Sequence, residues 1–300
     1  MKNIGLIGVG AMGEPMGARL LQSGFSLTVC AHRNRERIER LLKKGAVEQP
    51  NPKLVAARSE ALIMMVPDAP QVEEALFGED GAMGGLAAGS YVIDMSTISP
   101  AASQAFHERL ERSAVRMLDA PVSGGPARAE RGELSIMVGG AQADFAACQP
   151  VLGALGKPVL VGPPGMGETV KLVNQVLIAS IMIANAEALV FAKKSGADVD
   201  LVRRVILTAT GSNYLLEKWL PQNWLAGTHA GGFALDLLRK DLHAALDAAA
   251  KLGVAMPATA LANQLYTVAA RTHGREDYSA VATLFEEAAG VSVASAAARL

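Results

Sequence analysis

The chain has 300 residues, half of them hydrophobic, and a formal net charge of -1 at pH 7. This length fits two domains better than one, and the apolar content is sufficient for a substantial core. Acidic and basic side chains are nearly balanced and no basic patch is obvious, which argues against nucleic acid as a partner.

The first half of the chain alternates between β-rich and helix-like segments. The β-rich runs are Asn3–Val9, Ser26–Ala31, Ala61–Val66, Tyr91–Met95, Val115–Leu118, Leu134–Val138 and Pro158–Val161. The helix-like segments between them are Met12–Ser23, Arg35–Lys44, Ala69–Leu76, Pro100–Ser113 and Ala143–Leu155. Strands that alternate with helices predict βαβ units and a largely parallel sheet.

The pattern changes at Gly162–Gly167, a stretch rich in proline and glycine, and helical periodicity dominates beyond it. The candidate helices there are Glu168–Gly196, Val199–Ala209, Leu235–Leu252, Pro257–Thr272 and Tyr278–Ala289. The sequence therefore predicts two domains, with an α/β fold over residues 1–163 and an all-α fold over residues 164–300.

The most apolar long segment, Val173–Ala192, favours a buried helix over a membrane span. Among its residues are Asn174, Gln175, Asn185 and Glu187. At the other end of the chain, Lys2 leads directly into a strand-like run, so we expect no secretory signal. Together these patterns predict a cytoplasmic protein with no membrane association.

No metal or redox motif is visible among the cysteines and histidines. Cys30 and Cys148 lie far apart in the sequence, which is typical of reduced, buried thiols in a cytosolic protein. The histidines lack the spacing of metal ligands, and surface positions explain them better. They are His32, His107, His229, His243 and His273.

Three glycines follow the first β-rich run, where residues 8–13 read G-x-G-x-x-G. The motif comes after an apolar strand and opens a helix, the context in which it binds a dinucleotide pyrophosphate. A glycine-rich turn without a ligand is the alternative. The context favours a Rossmann-type dinucleotide-binding domain, with cofactor contacts at Gly8, Gly10, Ala11, Met12 and Gly13.

The end of the second β-rich run bears on the choice between NADP and NAD. NAD sites usually carry an acidic residue there, which binds the ribose 2′-hydroxyl. Here His32 and Arg33 occupy the turn instead, and the planar guanidinium of Arg33 would suit a 2′-phosphate. A solvated basic helix start is the alternative. The sequence favours NADP through Arg33 and leaves NAD as the second choice.

Ser123-Gly124-Gly125 follows the β-rich run that ends at Leu118. Its consecutive N–H groups and its hydroxyl could bind a carboxylate, but an ordinary tight connection explains the glycines equally well. Further along, Lys171 and Asn174 stand three residues apart and share one helix face. By spacing alone, Lys171 is better explained as a surface lysine whose amine reaches solvent.

Four stretches occur together in order, and together they are more specific than any one alone. They are GLIGVGAMGEPMGARLL near the N-terminus, DAPVSGG, KLVNQ and RKDLHAAL. Over nearly its whole length the chain resembles the β-hydroxyacid dehydrogenases. Within that family it is most similar to the 2-hydroxy-3-oxopropionate (tartronate semialdehyde) reductases and the 3-hydroxyisobutyrate dehydrogenases.

This resemblance implies a role for each matching residue. Lys171 would be the catalytic lysine, with Asn174 as its partner amide. The substrate carboxylate would be held by Ser123, Gly124 and Gly125. The remaining cofactor contacts would be Val66, Pro67, Ser96, Thr97 and Lys240. Without the resemblance, Lys240 is explained as a solvated helix charge, paired with Asp241 or with nothing.

The expected activity is hydride transfer between NADP(H) or NAD(H) and a small 3-hydroxy acid or its semialdehyde, such as reduction of tartronate semialdehyde to glycerate. Alternatives are 3-hydroxyisobutyrate or 4-hydroxybutyrate dehydrogenation, imine reduction, and dinucleotide binding without catalysis. The helical domain has apolar residues on more than one face, which predicts a homodimer or homotetramer.

Overall fold

The chain divides into two units, Met1–Lys171 and Leu172–Leu300. They are seen in a computed structural model that describes residues 1–32 and 35–294. The first unit is built on a β-sheet, and the second is helical. The predicted α/β fold class followed by an all-α region is confirmed.

The sheet of the first unit is largely parallel. Its strands are β1 (Asn3–Ile7), β2 (Ser26–Val29), β3 (Val47–Glu48), β4 (Ala61–Met64), β5 (Tyr91–Asp94), β6 (Arg116–Asp119), β7 (Val122–Ser123), β8 (Leu134–Gly139) and β9 (Gly156–Gly162). Their spatial order is 3-2-1-4-5-6-8-7, and β9 pairs with β8. The strands from β1 to β6 pair in parallel, so their carboxyl ends meet at one edge. Ligands bind at this edge in open α/β sheets.

The helices of the first unit connect these strands. They are α1 (Gly13–Gln22), α2 (Arg35–Leu42), α3 (Pro52–Ala56), α4 (Ala69–Phe77), α5 (Pro100–Glu111), α6 (Gly125–Arg131) and α7 (Gln142–Leu155). Helix α1 packs closely on β1, β2 and α2 at Gly17, where a Cβ would lie only 3.0–3.2 Å from the side chains of Leu41, Leu27 and Leu6. All three leucines are buried in the main core of this unit.

Local sequence explains where several of these helices begin. Asn51 accepts a hydrogen bond from the Leu54 amide at 3.0 Å, and proline follows it at the first helical position. Ser99 caps α5 in the same way, again with proline next. A side-chain acceptor followed by proline is a strong helix start signal.

Helix α8 (Met166–Lys194) begins in the first unit and continues into the second. It is the one helix of the described chain that is long and apolar enough, by length and composition, to cross a membrane. The core helix of a soluble protein can have the same length and apolar composition.

The second unit consists of the rest of α8 and four further α-helices among its described residues. These are α9 (Val199–Ile206), α10 (Leu235–Lys251), α11 (Pro257–His273) and α12 (Thr283–Ala289). Its core contains the fully buried side chains of Leu238, Trp224 and Tyr266. The buried Asp277 carboxylate accepts hydrogen bonds from the indole of Trp219 and the backbone amide of Phe233, both at 3.1 Å.

Several predicted segments differ from the structure. The predicted helix Tyr278–Ala289 is a 3-10 turn, Tyr278–Ala282, followed by α12. Residues 215–226, which carried no predicted element, form one π-helical turn and two 3-10 turns. The short elements β3, α3, β7 and α6 were not predicted, because two to seven residues are too few to show a hydrophobic period.

Candidate active site

The glycine-rich loop after β1 allows very close packing of the backbone. Gly8 has a φ of +98°, and a Cβ there would lie 2.1 Å from the carbonyl oxygen of Met65. A Cβ at Gly13 would lie 2.0 Å from the carbonyl oxygen of Gly8. Neither position therefore accepts a side chain without moving the backbone.

Gly10 differs from the other two glycines of the motif. A Cβ at Gly10 would have no described heavy atom within 4 Å, apart from its chain neighbours. Both Gly10 and Ala11 are exposed. Met12 precedes the first residue of α1, and within the described chain no side chain caps this helix. The loop thus leaves room beside an uncapped helix N-terminus, and these residues fit the pyrophosphate of a dinucleotide.

The loops after β4 and β5 are joined by a hydrogen bond. The amide of Val66 donates to the hydroxyl of Ser96 at 3.1 Å, and the amide of Ser96 donates to the carboxylate of Asp94 at 3.0 Å. Ser96 is buried, whereas Thr97 is half-buried and Pro67 is exposed. The structure therefore brings together two of the predicted cofactor positions, Val66 and Ser96, at the carboxyl edge of the sheet.

The turn at residues 123–125 connects β7 to α6. Gly124 and Gly125 have φ values of +140° and +70°, which side chains disfavour. Ser123 pairs with Ser135 of β8, so its backbone position is set by the sheet. All three predicted carboxylate-binding residues are half-buried, and their polar groups lie in a well-defined turn.

Lys171 lies in the second turn of α8, and its side chain is only 6% exposed. The interpretation from spacing alone, a lysine reaching solvent, is therefore wrong. Burying an ammonium is costly unless other groups compensate for the lost hydration. A buried lysine next to the ligand edge of a dinucleotide fold is consequently a candidate for chemistry.

A chain of polar contacts in the second unit connects Asn174 to Lys240. Asn174 donates to the side-chain oxygen of Gln175 at 3.0 Å, and Gln175 donates to the Asp241 carboxylate at 2.7 Å. Asp241 also forms an ion pair with Lys240 at 3.0 Å. Gln175 and Asp241 are both about 1% exposed. The structure therefore brings Asn174 and Lys240 into one network.

Sequence reasoning assigned no role to Gln175, and it mentioned Asp241 only as a neighbour of Lys240. A signal for Gln175 was present, because it lies four residues after Lys171 and thus on a similar helix face. For Asp241 the only local signal was its position next to Lys240. Its contact with residue 175 spans 66 positions and is not encoded locally.

Two arginines of α2, Arg37 and Arg40, are held by an acidic side chain of α1. Arg33 lies outside the described residues, and His32 is exposed. Arg40 makes a two-pronged contact with Glu14 of α1, with one N–O distance of 2.9 Å, and Arg37 lies 2.7 Å from the same carboxylate. Helix α2 is thereby fastened to the helix that follows the glycine loop.

The Glu14 cluster predicts a pH-dependent contribution to stability. Hydrogen bonds from Arg40 and then Arg37 hold the pKa of Glu14 below its ordinary value, although partial burial opposes them. The contribution is complete above the pKa of an unfolded glutamate, about 4.3, and disappears as the pH falls through the lower folded value. We expect Glu14→Gln to lower Tm at pH 7, and the difference from wild type to shrink below pH ~4.

The matched control is Glu36→Gln, which removes an exposed ion-pair partner of Arg40. Exposed pairs contribute little, so its Tm should stay close to wild type throughout. Thermal melts between pH 7 and pH 3.5 measure both variants. A Glu14→Gln difference that is constant over this range would contradict the prediction.

Both cysteines are buried, and neither is paired with the other. Burial raises the pKa of the Cys30 thiol to about 11 and that of Cys148 to about 12. Thiols with such values carry almost no thiolate at neutral pH and are poor nucleophiles. Within residues 1–32 and 35–294, no group of three or more His, Cys, Asp or Glu side chains is placed to hold a metal ion.

Comparison with known domain families identifies the class of protein. Residues 3–163 match the NAD-binding domain of 6-phosphogluconate dehydrogenase, and residues 165–285 match the family described as NAD-binding of NADP-dependent 3-hydroxyisobutyrate dehydrogenase. With the glycine loop at the carboxyl edge of a parallel sheet, these matches define an NAD(P)-dependent dehydrogenase.

Individual relatives of the chain are also dehydrogenases or reductases. The chain is 39% identical to 2-(hydroxymethyl)glutarate dehydrogenase of Eubacterium barkeri, covering 97% of each chain. It is also 39% identical to 2-hydroxy-3-oxopropionate reductase of Escherichia coli K12, over 94% of this chain and 97% of the relative. A solved structure of 3-hydroxyisobutyrate dehydrogenase from Salmonella typhimurium superposes with a TM-score of 0.85 at 33% identity, covering 95% of this chain and all of the other.

The chain belongs to the β-hydroxyacid dehydrogenase family. The resemblance found in its sequence motifs is thereby confirmed. It is an NAD(P)-dependent oxidoreductase of the type that acts on hydroxy acids.

Proposed function

We propose that this enzyme reduces a small semialdehyde carboxylate to the corresponding 3-hydroxy acid, with tartronate semialdehyde as the first substrate to test. The observation that carries the proposal is the burial of Lys171 on a helix that starts at the ligand edge of the dinucleotide-binding sheet. The half-buried Ser-Gly-Gly turn supplies polar groups for a carboxylate. The relatives named above are, by their names, dehydrogenases or reductases of hydroxy acids or of a semialdehyde acid.

When bound, a nicotinamide cofactor would supply the hydride that the aldehyde carbon receives. The Nζ atom of Lys171, as an ammonium, donates a hydrogen bond to the aldehyde oxygen and then a proton to the alkoxide. The aldehyde thus gains one hydride and one proton and becomes a primary alcohol. Asn174 orients the lysine or the carbonyl oxygen through its carboxamide. A positioned proton donor typically contributes about 10²–10⁴-fold to the rate.

The carboxylate of the substrate is held by the Ser123 hydroxyl and the N–H groups of Gly124 and Gly125. Consecutive backbone N–H groups in a turn form a concave site for an anion. The cofactor would be held by the glycine loop at residues 8–13, by Val66, Pro67, Ser96 and Thr97, and by Lys240. Lys240 would contact it from the helical region.

We propose NADP(H) as the preferred cofactor and NAD(H) as a weaker one. No acidic residue occupies the turn after β2, where NAD sites usually carry one. Arg33 is the residue proposed to pair with the 2′-phosphate, because a guanidinium binds phosphate oxygens in a planar, two-pronged way. Comparing kcat/KM for NADPH and NADH, in wild type and Arg33→Ala, tests this assignment.

The test of the reaction is a substrate panel followed by absorbance at the nicotinamide band. Purified enzyme is mixed with NADPH or NADH and with tartronate, methylmalonate or succinic semialdehyde, or with a cyclic imine. We expect oxidation of the cofactor with at least one semialdehyde and none with the imine. Turnover of the imine alone would favour an imine reductase, and tight NADPH binding without any turnover would favour a non-catalytic binding protein.

We further propose a cytoplasmic homodimer or homotetramer assembled through the helical region. Helix α8 exposes Val173, Leu177 and Phe191, which lie on one face at 55%, 54% and 74% exposure. Exposed apolar patches of this kind mark association surfaces. We expect light scattering at micromolar concentration to give at least twice the 31.2 kDa mass of one chain. A monomeric mass would contradict the proposal.

A further inference from the structure

Glu168 is a fully buried acidic residue in the first turn of α8. One oxygen of its carboxylate accepts a hydrogen bond from the backbone amide of Ile98 at 3.1 Å. That amide belongs to the peptide group between Thr97 and Ile98, in the loop that follows β5. Glu168 therefore fastens this loop to the start of the helix that carries Lys171.

A second buried carboxylate also holds the start of this helix. Asp119, the last residue of β6, accepts hydrogen bonds from the backbone amides of Gly165 at 2.8 Å and Glu168 at 3.1 Å. Burial raises the pKa of Asp119, and these backbone hydrogen bonds partly offset the rise. Asp119 thus satisfies N–H groups at the start of α8 that the helix itself leaves open.

Close backbone packing leaves this helix start little freedom. A Cβ at Gly167 would lie 2.5 Å from the carbonyl oxygen of Met137 and 2.7 Å from that of Asp119. Gly165 has a φ of +86°, which a side chain would disfavour. The first turn of α8 is consequently packed tightly against Asp119 at the end of β6 and Met137 within β8.

Lys171 follows Glu168 by three residues and so lies one helical turn away on a similar face. Both residues belong to the first unit, as does the loop that contains Ile98. In the same loop, the hydroxyl of Ser96 accepts a hydrogen bond from the amide of Val66. A continuous series of backbone and side-chain contacts therefore runs from the lysine helix to the loops after β5 and β4.

We infer that Glu168 is a positioning residue, which sets the Thr97–Ile98 peptide relative to the helix turn that presents Lys171. The inference rests on the proposed function, in which Thr97 contacts the cofactor and Lys171 donates the proton. Glu168 needs to touch neither substrate nor cofactor for this role. The role requires only that a side-chain oxygen at position 168 accept the hydrogen bond of the Ile98 amide. Without that acceptor, the buried amide would have lost this hydrogen bond, which is costly. A displacement of the reacting groups by even ~1 Å lowers the catalysed rate steeply.

The test compares two substitutions of similar size. Glu168→Gln keeps an oxygen acceptor for the Ile98 amide, whereas Glu168→Met removes it. We expect Glu168→Met to lower kcat at least ~10-fold and to leave the Kd for NADPH within ~3-fold. Glu168→Gln should restore kcat to within ~3-fold of wild type. Glu187→Met, at an exposed position of the same helix, is the matched control and should change neither quantity.

Amide hydrogen exchange without cofactor supplies a readout that does not depend on activity. The segment containing Ile98 should exchange at least ~10-fold faster in Glu168→Met than in wild type, and at nearly the wild-type rate in Glu168→Gln. Unchanged exchange or unchanged kcat in Glu168→Met would overturn the inference. Equal losses in the Gln and Met variants would also overturn it, because the charge and not the acceptor would then be required.

The two proposals fail in different ways. A wild-type enzyme that turns over no semialdehyde refutes the proposed function, and the exchange measurement still decides whether Glu168 holds the loop. A wild-type enzyme that is active, with full activity retained in a correctly folded Glu168→Met, refutes the positioning role alone. Thermal melts of all variants establish that each one is folded.

Discussion

Replacing Lys171 with alanine or methionine is expected to lower kcat for semialdehyde reduction by about 10²–10⁴-fold. The Lys171 side chain is buried, and its helix starts at the edge of the sheet where the carboxyl ends of the parallel strands meet. In the proposed mechanism its ammonium is the proton donor, so without it the alkoxide that forms on hydride addition would have no positioned donor. Steady-state kinetics with saturating NADPH and the best semialdehyde of the panel measure the effect.

Two comparisons separate catalysis from folding in this experiment. Lys171→Met keeps most of the side-chain volume, so a loss of kcat with an unchanged Tm reports on the amine. Lys193→Ala removes an exposed lysine from the same helix and should leave kcat unchanged. Wild-type turnover in Lys171→Met would remove Lys171 from the mechanism.

Gly10→Ala is expected to weaken NADPH binding at least ~10-fold without lowering Tm. A Cβ at Gly10 meets none of the described heavy atoms within 4 Å, so the folded protein has room for it. The same Cβ would project into the space that the pyrophosphate needs, because the middle glycine of this motif lets the phosphates approach the backbone. Fluorescence titration with NADPH and thermal melts measure the two quantities.

Gly13→Ala should behave differently and lower Tm as well as affinity. Its Cβ would lie 2.0 Å from the carbonyl oxygen of Gly8, so the loop or α1 has to move. The matched control is Gly153→Ala in α7, where the new Cβ also meets nothing within 4 Å of the described structure. It should leave NADPH affinity unchanged. Wild-type affinity in Gly10→Ala would show that the pyrophosphate does not lie over this loop.

The sequence predicted most of the sheet, because its strands are continuous apolar runs bounded by turn residues. The run Ala61–Val66 predicts β4, which the structure forms over Ala61–Met64 with every residue buried. The strands β3 and β7 have only two residues each and exist through their pairing with β2 and β8. Such pairing is a long-range property, and local periodicity does not carry it.

The candidate site was only partly predictable, for a similar reason. Positive φ angles at Gly8, Gly124 and Gly125 agree with the turns predicted from the sequence. The burial of Lys171 was not predictable from its neighbours, since their spacing suits a surface helix as well. The start of its helix is held by Asp119, which lies more than 45 residues earlier and accepts hydrogen bonds from the Gly165 and Glu168 amides.

The Asp119 cap also bears on how the chain can be dissected. A fragment that stops at residue 163, where the predicted first domain ends, keeps Asp119 at the end of β6. It lacks the Gly165 and Glu168 amides that hydrogen-bond to the carboxylate. Cutting the chain after residue 163 therefore removes the first turns of α8, Met166–Lys171, from the nucleotide-binding unit to which they belong.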